Sequence, residues 1–311
     1  MLRILTIFVL LCLPVLQSCQ SEPPAKPVIV STIKPIHALV YAIAGGANSP
    51  LDIRQLLPDG ASPHHYALKP SEMRTLETAR VVFRIGSGLE TFLDKPLATA
   101  IPTREVITLA DIPGIQALGS RQPHGNEHAG HDAHSADSHL WLNPVNAIAM
   151  SREIARALSA VDSAHQADYR ANAQQLIANI ETTDARIRQQ LAPLSQQPYL
   201  SFHDAWQHFD THYGLNFAGA VTLDVSRLPG ARHVQDIRQI IEEKQAVCLF
   251  QEPQFAPAMI KTLVEGSTIR IGELDPLGME LSLDKDTYPK LLQAAADSFQ
   301  QCLSGTGSIH P

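Results

Sequence analysis

The sequence predicts an α/β protein of two lobes, each with a parallel sheet flanked by helices, joined by a long α-helix. The chain has 311 residues, about twice the length of a typical single domain. Short apolar runs alternate with helical patterns in both halves, which favours parallel strands joined by crossover helices. Between the halves, residues 164–194 contain no Gly, and their first Pro is Pro193.

The first lobe is assigned to residues 27–140. Its strand-like runs are rich in Val, Ile and Leu, as expected for strands covered on both faces. They are residues 28–32, 51–57, 81–85 and 106–109. Helical patterns are expected between these runs, for example at 70–79 and 88–100.

The second lobe is assigned to residues 196–303 and repeats this alternation. Its strand-like runs are residues 199–202, 216–221, 246–250 and 268–274. Helices are expected between them, for example at 233–244 and 257–265.

The linking helix is predicted over residues 164–194, where apolar side chains recur at spacings of three and four. At 1.5 Å per residue, about 30 residues reach ~45 Å, enough to run along both lobes. A shorter helix is expected before it at 144–161, with Pro144 in its first turn.

The N-terminus has the features of a signal peptide over residues 1–18. Arg3 precedes an apolar stretch at 4–16, which is too short to span a bilayer. Ser18-Cys19 then resembles a bacterial lipoprotein cleavage site, with Cys19 carrying the lipid; the alternative is ordinary cleavage near residues 21–24. Either cleavage predicts an exported, periplasmic protein.

The cysteines fit this export. Cys12 lies in the signal segment and Cys19 at the cleavage site, which leaves Cys248 and Cys302. An even pair in an oxidising compartment favours a disulfide over two buried free thiols.

The charge pattern argues against nucleic acid as a partner. The net charge is −7 and the chain has no long basic run. An acidic balance alone does not indicate cation binding, because many soluble proteins carry one.

Residues 122–138 have a biased composition. The segment contains histidines, acidic residues, Gly and Ser and almost no apolar residue, so we expect a flexible surface loop. Its histidines would form a secondary metal-binding site; they are His124, His128, His131 and His134. The alternative is a solvated linker whose composition is accidental.

Four further residues are candidate ligands of one metal ion: His64, His139, His203 and Asp275. They lie near the ends of predicted strands or at the start of a predicted helix, and two belong to each lobe. Ligands of open α/β sheets bind beyond the carboxyl ends of the strands, so a cleft site is expected. Three imidazoles and one oxygen suit Zn²⁺, whereas Mn²⁺ prefers more carboxylates. Taken singly, a histidine after a strand is more often a hydrogen-bonded structural residue than a ligand.

Several short motifs resemble one protein family over nearly the whole mature chain. They include LPDGASPH at 57–64, HLWLNP at 139–144, HDA at 203–205, QEPQF at 251–255 and LDPLG at 274–278; shorter matches lie at 68–71, 88–90, 92–95 and 229–231. In this order they closely resemble the zinc-specific substrate-binding proteins of ABC transporters, the ZnuA-like type of the cluster A-I metal-receptor family.

The resemblance implies two α/β lobes joined by a rigid helix, with His64, His139 and His203 as zinc ligands. The fourth ligand would be Asp275 or water. Some members use a carboxylate beside the first histidine, but Pro63 has no donor atom there. Cys248 and Cys302 match positions that are disulfide-bonded in close relatives.

The function implied is capture of Zn²⁺ outside the inner membrane by a monomer, which delivers it to an ABC permease and its ATPase. A manganese- or iron-type receptor and a surface lipoprotein or adhesin are alternatives. Manganese-type relatives tend to place a carboxylate where this chain has His203. A zinc hydrolase is disfavoured, because the sequence has neither H-E-x-x-H nor G-x-S-x-G. We therefore expect no enzymatic activity.

Overall fold

The computed structural model describes residues 25–121, 136–222, 230–253, 260 and 263–305. The signal segment 1–18 and Cys19 lie outside these ranges, as do the histidines of the 122–138 segment, which are His124, His128, His131 and His134. No helix of the described ranges combines the length and apolar character needed to cross a membrane.

The first sheet is parallel, with strand order β2-β1-β3-β4. Its strands are β1 (Val28–Ser31), β2 (Asp52–Gln55), β3 (Ala79–Arg84) and β4 (Glu105–Thr108). Consecutive residues of β3 are fully buried, including Val81, Val82 and Phe83. Side chains on both faces are therefore covered, as the continuous apolar runs predicted.

Helices α1 (Lys34–Ile43), α2 (Pro70–Thr78) and α3 (Asp94–Ala98) accompany this sheet. The helix predicted over 88–100 is wrong in its first half. The Glu90 carboxylate accepts hydrogen bonds from the backbone N–H groups of Ile85 and Gly86, at 3.1 and 2.8 Å. These bonds fold residues 85–90 into a turn; one 3-10 turn follows at Thr91–Leu93, and the α-helix begins at Asp94.

The second sheet is also parallel and has the equivalent order, β6-β5-β7-β8. Its strands are β5 (Pro198–His203), β6 (Asn216–Thr222), β7 (Cys248–Gln251) and β8 (Arg270–Glu273). Its helices are α6 (Gln207–Tyr213), α7 (Ala231–Glu243) and α8 (Thr287–Leu303). The helix expected at 257–265 falls mostly outside the described residues.

Helices α4 (Pro144–Val161) and α5 (Gln166–Leu191) lie between the two sheets in the chain. Asn143 caps α4, since its side chain accepts the Val145 N–H. Helix α5 has 26 residues, or about 39 Å, and is fastened to both lobes. Asn172 donates to the Ile43 carbonyl in the first lobe, and Asn179 donates to Asp286 in the second. The predicted linking helix is confirmed.

The lobes share a continuous core. Trp141, which is fully buried, donates through Nε1 to the Pro276 carbonyl at 2.7 Å, and its own carbonyl accepts from the Tyr288 hydroxyl. The Cys248–Cys302 disulfide is present, with a Cα–Cα distance of 6.0 Å, and ties β7 to α8. This pairing confirms the sequence prediction.

Arg121 makes a second, ionic link between the lobes. Its guanidinium donates to Asp204 at 2.7 Å and to Asp210 at 2.7 and 2.8 Å. It also lies 3.8 Å from the centre of the Phe217 ring. These three partners all belong to the second lobe, so the lobes are held by directed contacts as well as by apolar packing.

Candidate metal centre

Three histidines from distant parts of the sequence meet between the lobes. Each of His64, His139 and His203 offers one ring nitrogen, and these nitrogens all lie within 4.8 Å of one another. The ring centres are 5.4 Å apart for His64 and His139, 5.2 Å for His64 and His203, and 5.0 Å for His139 and His203. Nitrogens bound tetrahedrally to one zinc at ~2.0–2.1 Å lie about 3.4 Å apart, so small side-chain movements would complete the site.

His64 lies in the loop that follows β2 and is half-buried. The beginning of this loop is pinned to the second lobe. Lys34 binds Asp59 at 2.8 Å and the Met279 carbonyl at 2.7 Å. Gly60 has a φ of +81°, and a Cβ there would lie 2.8 Å from the Met279 sulfur. Glycine suits this position because of its left-handed backbone, and its missing Cβ leaves room for the Met279 side chain.

His139 lies just before the turn into α4 and is buried. One oxygen of Asp137, Oδ1, accepts from the His139 N–H at 3.0 Å and pairs with its Nδ1 at 2.7 Å. Burial would raise the pKa of Asp137, but the imidazole of His139 holds it below its ordinary value. Nδ1 is thus occupied, which leaves Nε2 as the nitrogen for a metal.

Asp137 corrects the prediction of a flexible surface loop over 122–138 at the C-terminal end of that segment. Only 6% of Asp137 is exposed, and its N–H donates to the Leu118 carbonyl at 2.8 Å. Gly119 and Ala136 form an antiparallel bridge beside it. Asp137 is therefore buried and hydrogen-bonded on both sides, to Leu118 and to the candidate ligand His139.

His203 is the last residue of β5 and is buried. Glu252 follows β7, the neighbouring strand, and its Oε1 lies 3.4 Å from His203 Nδ1. Burial disfavours the protonated imidazole, but the Glu252 carboxylate raises the pKa of His203 above its ordinary value. Metal binding at this imidazole would therefore compete with a proton.

Asp275 follows β8, as expected, and organises its own loop. Its Oδ1 accepts from the Leu277 N–H at 3.0 Å, and its Oδ2 accepts from the Met279 N–H. Within the described ranges, the group of side chains gathered for a metal comprises the three histidines without Asp275. Its role as a ligand stays a prediction.

The histidines line a cavity of about 20 Å³, together with Ser62, Pro63, Trp141, Glu252, Pro276 and Leu277. A cavity of roughly 10–15 Å³ on this measure holds one water molecule. The space therefore suits a single ion and its water.

Asp137 and Glu252 were not predicted as site residues from the sequence. The sequence nevertheless contains a feature that could have identified each of them. Glu252 directly follows an apolar strand-like run, where ligands of a parallel sheet gather, and Asp137 precedes a candidate histidine by two residues.

The family model described as "Zinc-uptake complex component A periplasmic" matches residues 29–302 of this chain. A relative named "High-affinity zinc uptake system protein ZnuA" from Brucella suis is 35% identical over 89% of this chain and 91% of its own length. The protein of the same name from Haemophilus ducreyi is 35% identical, over 89% of this chain and 93% of its own length.

Solved structures show the same fold. The periplasmic zinc-binding protein TroA from Treponema pallidum superimposes with a TM-score of 0.77 at 21% identity, covering 90% of this chain and 99% of its own. A crystal structure of a ZnuA gives 0.75 at 24% identity, covering 90% and 100%. FpvC from Pseudomonas aeruginosa, in complex with Mn²⁺, gives 0.78 at 19% identity, covering 91% and 100%.

Proposed function

Because the chain belongs to the ZnuA family of periplasmic zinc-uptake components, we propose that it is the zinc receptor of an ABC uptake transporter. It captures Zn²⁺ outside the inner membrane and passes it to a permease driven by an ATPase. The observation that carries this proposal is the meeting of His64, His139 and His203 in a cavity of about 20 Å³ between the lobes.

The donor set favours zinc over manganese. Neutral imidazole nitrogens suit Zn²⁺, while Mn²⁺ is better served by carboxylate and other oxygen ligands. The third position is His203, and both oxygens of Asp275 already accept backbone hydrogen bonds. We propose that water or Asp275 completes the coordination.

A receptor also fits the cavity better than a hydrolase does. A catalytic zinc needs an open position large enough for a substrate as well as a water. The cavity beside these histidines holds about 20 Å³, which leaves room for the ion as cargo. We propose that the protein has no enzymatic activity.

Two measurements test the proposed function. Titration of the purified mature protein against a chelating zinc indicator should give one tight zinc per chain. Expression in a bacterium that lacks its own zinc receptor but keeps the matching permease and ATPase should restore growth at low zinc. Tight binding without restored growth would favour a surface lipoprotein, and zinc-dependent turnover of a substrate would favour a hydrolase.

Asp275→Asn should weaken zinc binding less than the loss of any one histidine. The reason is that Asp275 already serves the Leu277 and Met279 N–H groups, so its contribution to a metal is shared with the loop. Calorimetric competition titration would measure the dissociation constants, with His64→Ala as the comparison. A loss for Asp275→Asn equal to that for His64→Ala would make Asp275 a full ligand.

Deleting residues 122–135 should remove weak zinc binding and leave the tight site nearly intact. We propose that the four histidines there, His124, His128, His131 and His134, collect zinc at lower affinity than the cleft, because a polar segment must lose conformational entropy on binding. The deletion spares Asp137, which holds His139. Equilibrium dialysis with ⁶⁵Zn at two zinc concentrations separates the two classes, and loss of the tight site would contradict this division.

The oligomeric state and the N-terminus of the mature protein can be tested as well. We propose a monomer anchored by lipid at Cys19, which mass spectrometry of the membrane-extracted protein would detect as added acyl mass. An unmodified N-terminus beginning near residues 21–24 would instead indicate a soluble periplasmic form.

A further inference from the structure

Two of the three candidate ligands have a buried carboxylate beside their Nδ1 nitrogen. Asp137 Oδ1 lies 2.7 Å from His139 Nδ1, and Glu252 Oε1 lies 3.4 Å from His203 Nδ1. Both carboxylates are buried, at 6% and 4% exposure. Asp137 precedes His139 by two residues in the sequence. Glu252 instead follows β7, the strand that pairs with the strand of His203.

This arrangement has a specific chemical consequence. A metal-bound histidine coordinates through one ring nitrogen and donates the proton on the other, usually to a carboxylate or a carbonyl. The acceptor thereby fixes both the tautomer and the orientation of the ring. With Asp137 bonded to Nδ1 of His139 and Glu252 placed beside Nδ1 of His203, Nε2 would be the nitrogen of each that binds a metal.

A second observation supports a role beside the metal: each of the two carboxylates has a buried oxygen that makes no hydrogen bond. Asp137 Oδ2 and Glu252 Oε1 are buried and make no hydrogen bond within the described structure. His208 Nε2 lies 4.0 Å from Asp137 Oδ2, beyond hydrogen-bond distance, and a buried anionic oxygen without a hydrogen bond is costly. A dication held by neutral imidazoles carries two positive charges, which two ionised carboxylates would offset. The cost of burying each group is thus reduced when the other is present.

We propose that Asp137 and Glu252 are positioning residues for zinc: each accepts the Nδ1 proton of a ligand imidazole and directs Nε2 at the ion. The inference rests on the proposed function. It also accounts for the position of Glu252, whose Oε1 lies 3.4 Å from His203 Nδ1. A small rotation of the imidazole towards the ion brings its Nδ1 proton into line with the carboxylate.

Conservative variants test the proposal. Asp137→Asn and Glu252→Gln keep the side-chain volume and remove the charge, and each should raise the zinc dissociation constant by about 10–100-fold. Glu90→Gln is the matched control, because Glu90 is a fully buried carboxylate bound to Thr32 and to the backbone of the first lobe. Its zinc affinity should change by less than about threefold.

A spectroscopic readout separates positioning from a merely structural role. In ¹⁵N-labelled wild-type protein with zinc, long-range ¹H–¹⁵N spectra should show a protonated Nδ1 and a metal-bound Nε2 for both His139 and His203. The Nδ1 proton should exchange faster with water in the Asn and Gln variants. This wild-type measurement stands even if a variant fails to fold.

Three results would overturn the inference: wild-type affinity in both variants, metal bound through Nδ1, or an X-ray absorption spectrum in which Glu252→Gln loses an oxygen from the zinc coordination shell. The last would make Glu252 a direct ligand. Failure of the proposed function looks different, since the wild-type protein would then bind no tight zinc at all.

Discussion

Replacing His203 with alanine is expected to raise the zinc dissociation constant on the order of a thousandfold. Zinc held by several protein ligands is bound with ~10–16 kcal/mol, so one buried ligand accounts for about 3–5 kcal/mol. His203 is only 5% exposed, and its loss also leaves Glu252 facing the cavity without its imidazole. The site should therefore keep weak zinc binding through the two remaining histidines.

Competition with a chelator of known zinc affinity measures this change. The control is His165→Ala, since His165 is exposed and pairs with Asp162 on the surface. That variant should bind zinc like the wild type. An unchanged affinity in His203→Ala, in protein shown to be folded, would remove His203 from the site.

Removing the disulfide is expected to lower the free energy of unfolding by about 4 kcal/mol. Cys248 and Cys302 are 54 residues apart, and the chain-entropy model gives this cost for a loop of that length. Both residues are buried in the core, where the bridge holds β7 against α8. The effect should appear mainly as destabilisation, because the bridge joins no candidate ligand.

Urea unfolding of zinc-free Cys248→Ala/Cys302→Ala protein measures this loss. Wild-type protein unfolded in reductant is the matched control, since it lacks the bridge but keeps both sulfurs. The two should unfold at similar urea concentrations, below the oxidised wild type. Coincident curves for the oxidised wild type and the double variant would contradict the expectation.

The elements of the fold were largely predictable because their local patterns agree with their tertiary surroundings. The run at 81–85 is apolar except for Arg84, and Val81 and Phe83 are fully buried. Helix α5 has no internal Gly or Pro and keeps apolar residues such as Leu176 and Ile180 facing the core. Strand order was not predictable, because it depends on which strands pair across the sheet.

The helix predicted at 88–100 was wrong in its first half because tertiary contacts, which the local pattern does not show, determine that part. Its sequence alone cannot show that Glu90 is buried and bonded to the backbone of Ile85 and Gly86, an arrangement that replaces the first helical turn. Tertiary contacts therefore decided this segment.

The three histidines of the candidate site could be chosen from the sequence, whereas the carboxylates beside two of them could not. His64, His139 and His203 could be chosen because ligands gather at the carboxyl ends of parallel strands, and the three now meet within 4.8 Å. Glu252 was missed because its relation to His203 depends on the pairing of β5 with β7. Only the strand order brings these two residues together.

The most direct test of the central claim is anomalous diffraction at the zinc absorption edge from crystals grown with one equivalent of Zn²⁺. We predict one strong peak between the lobes, ~2.0–2.1 Å from a nitrogen of each of His64, His139 and His203. A strong peak elsewhere, with no zinc among these three imidazoles, would contradict it.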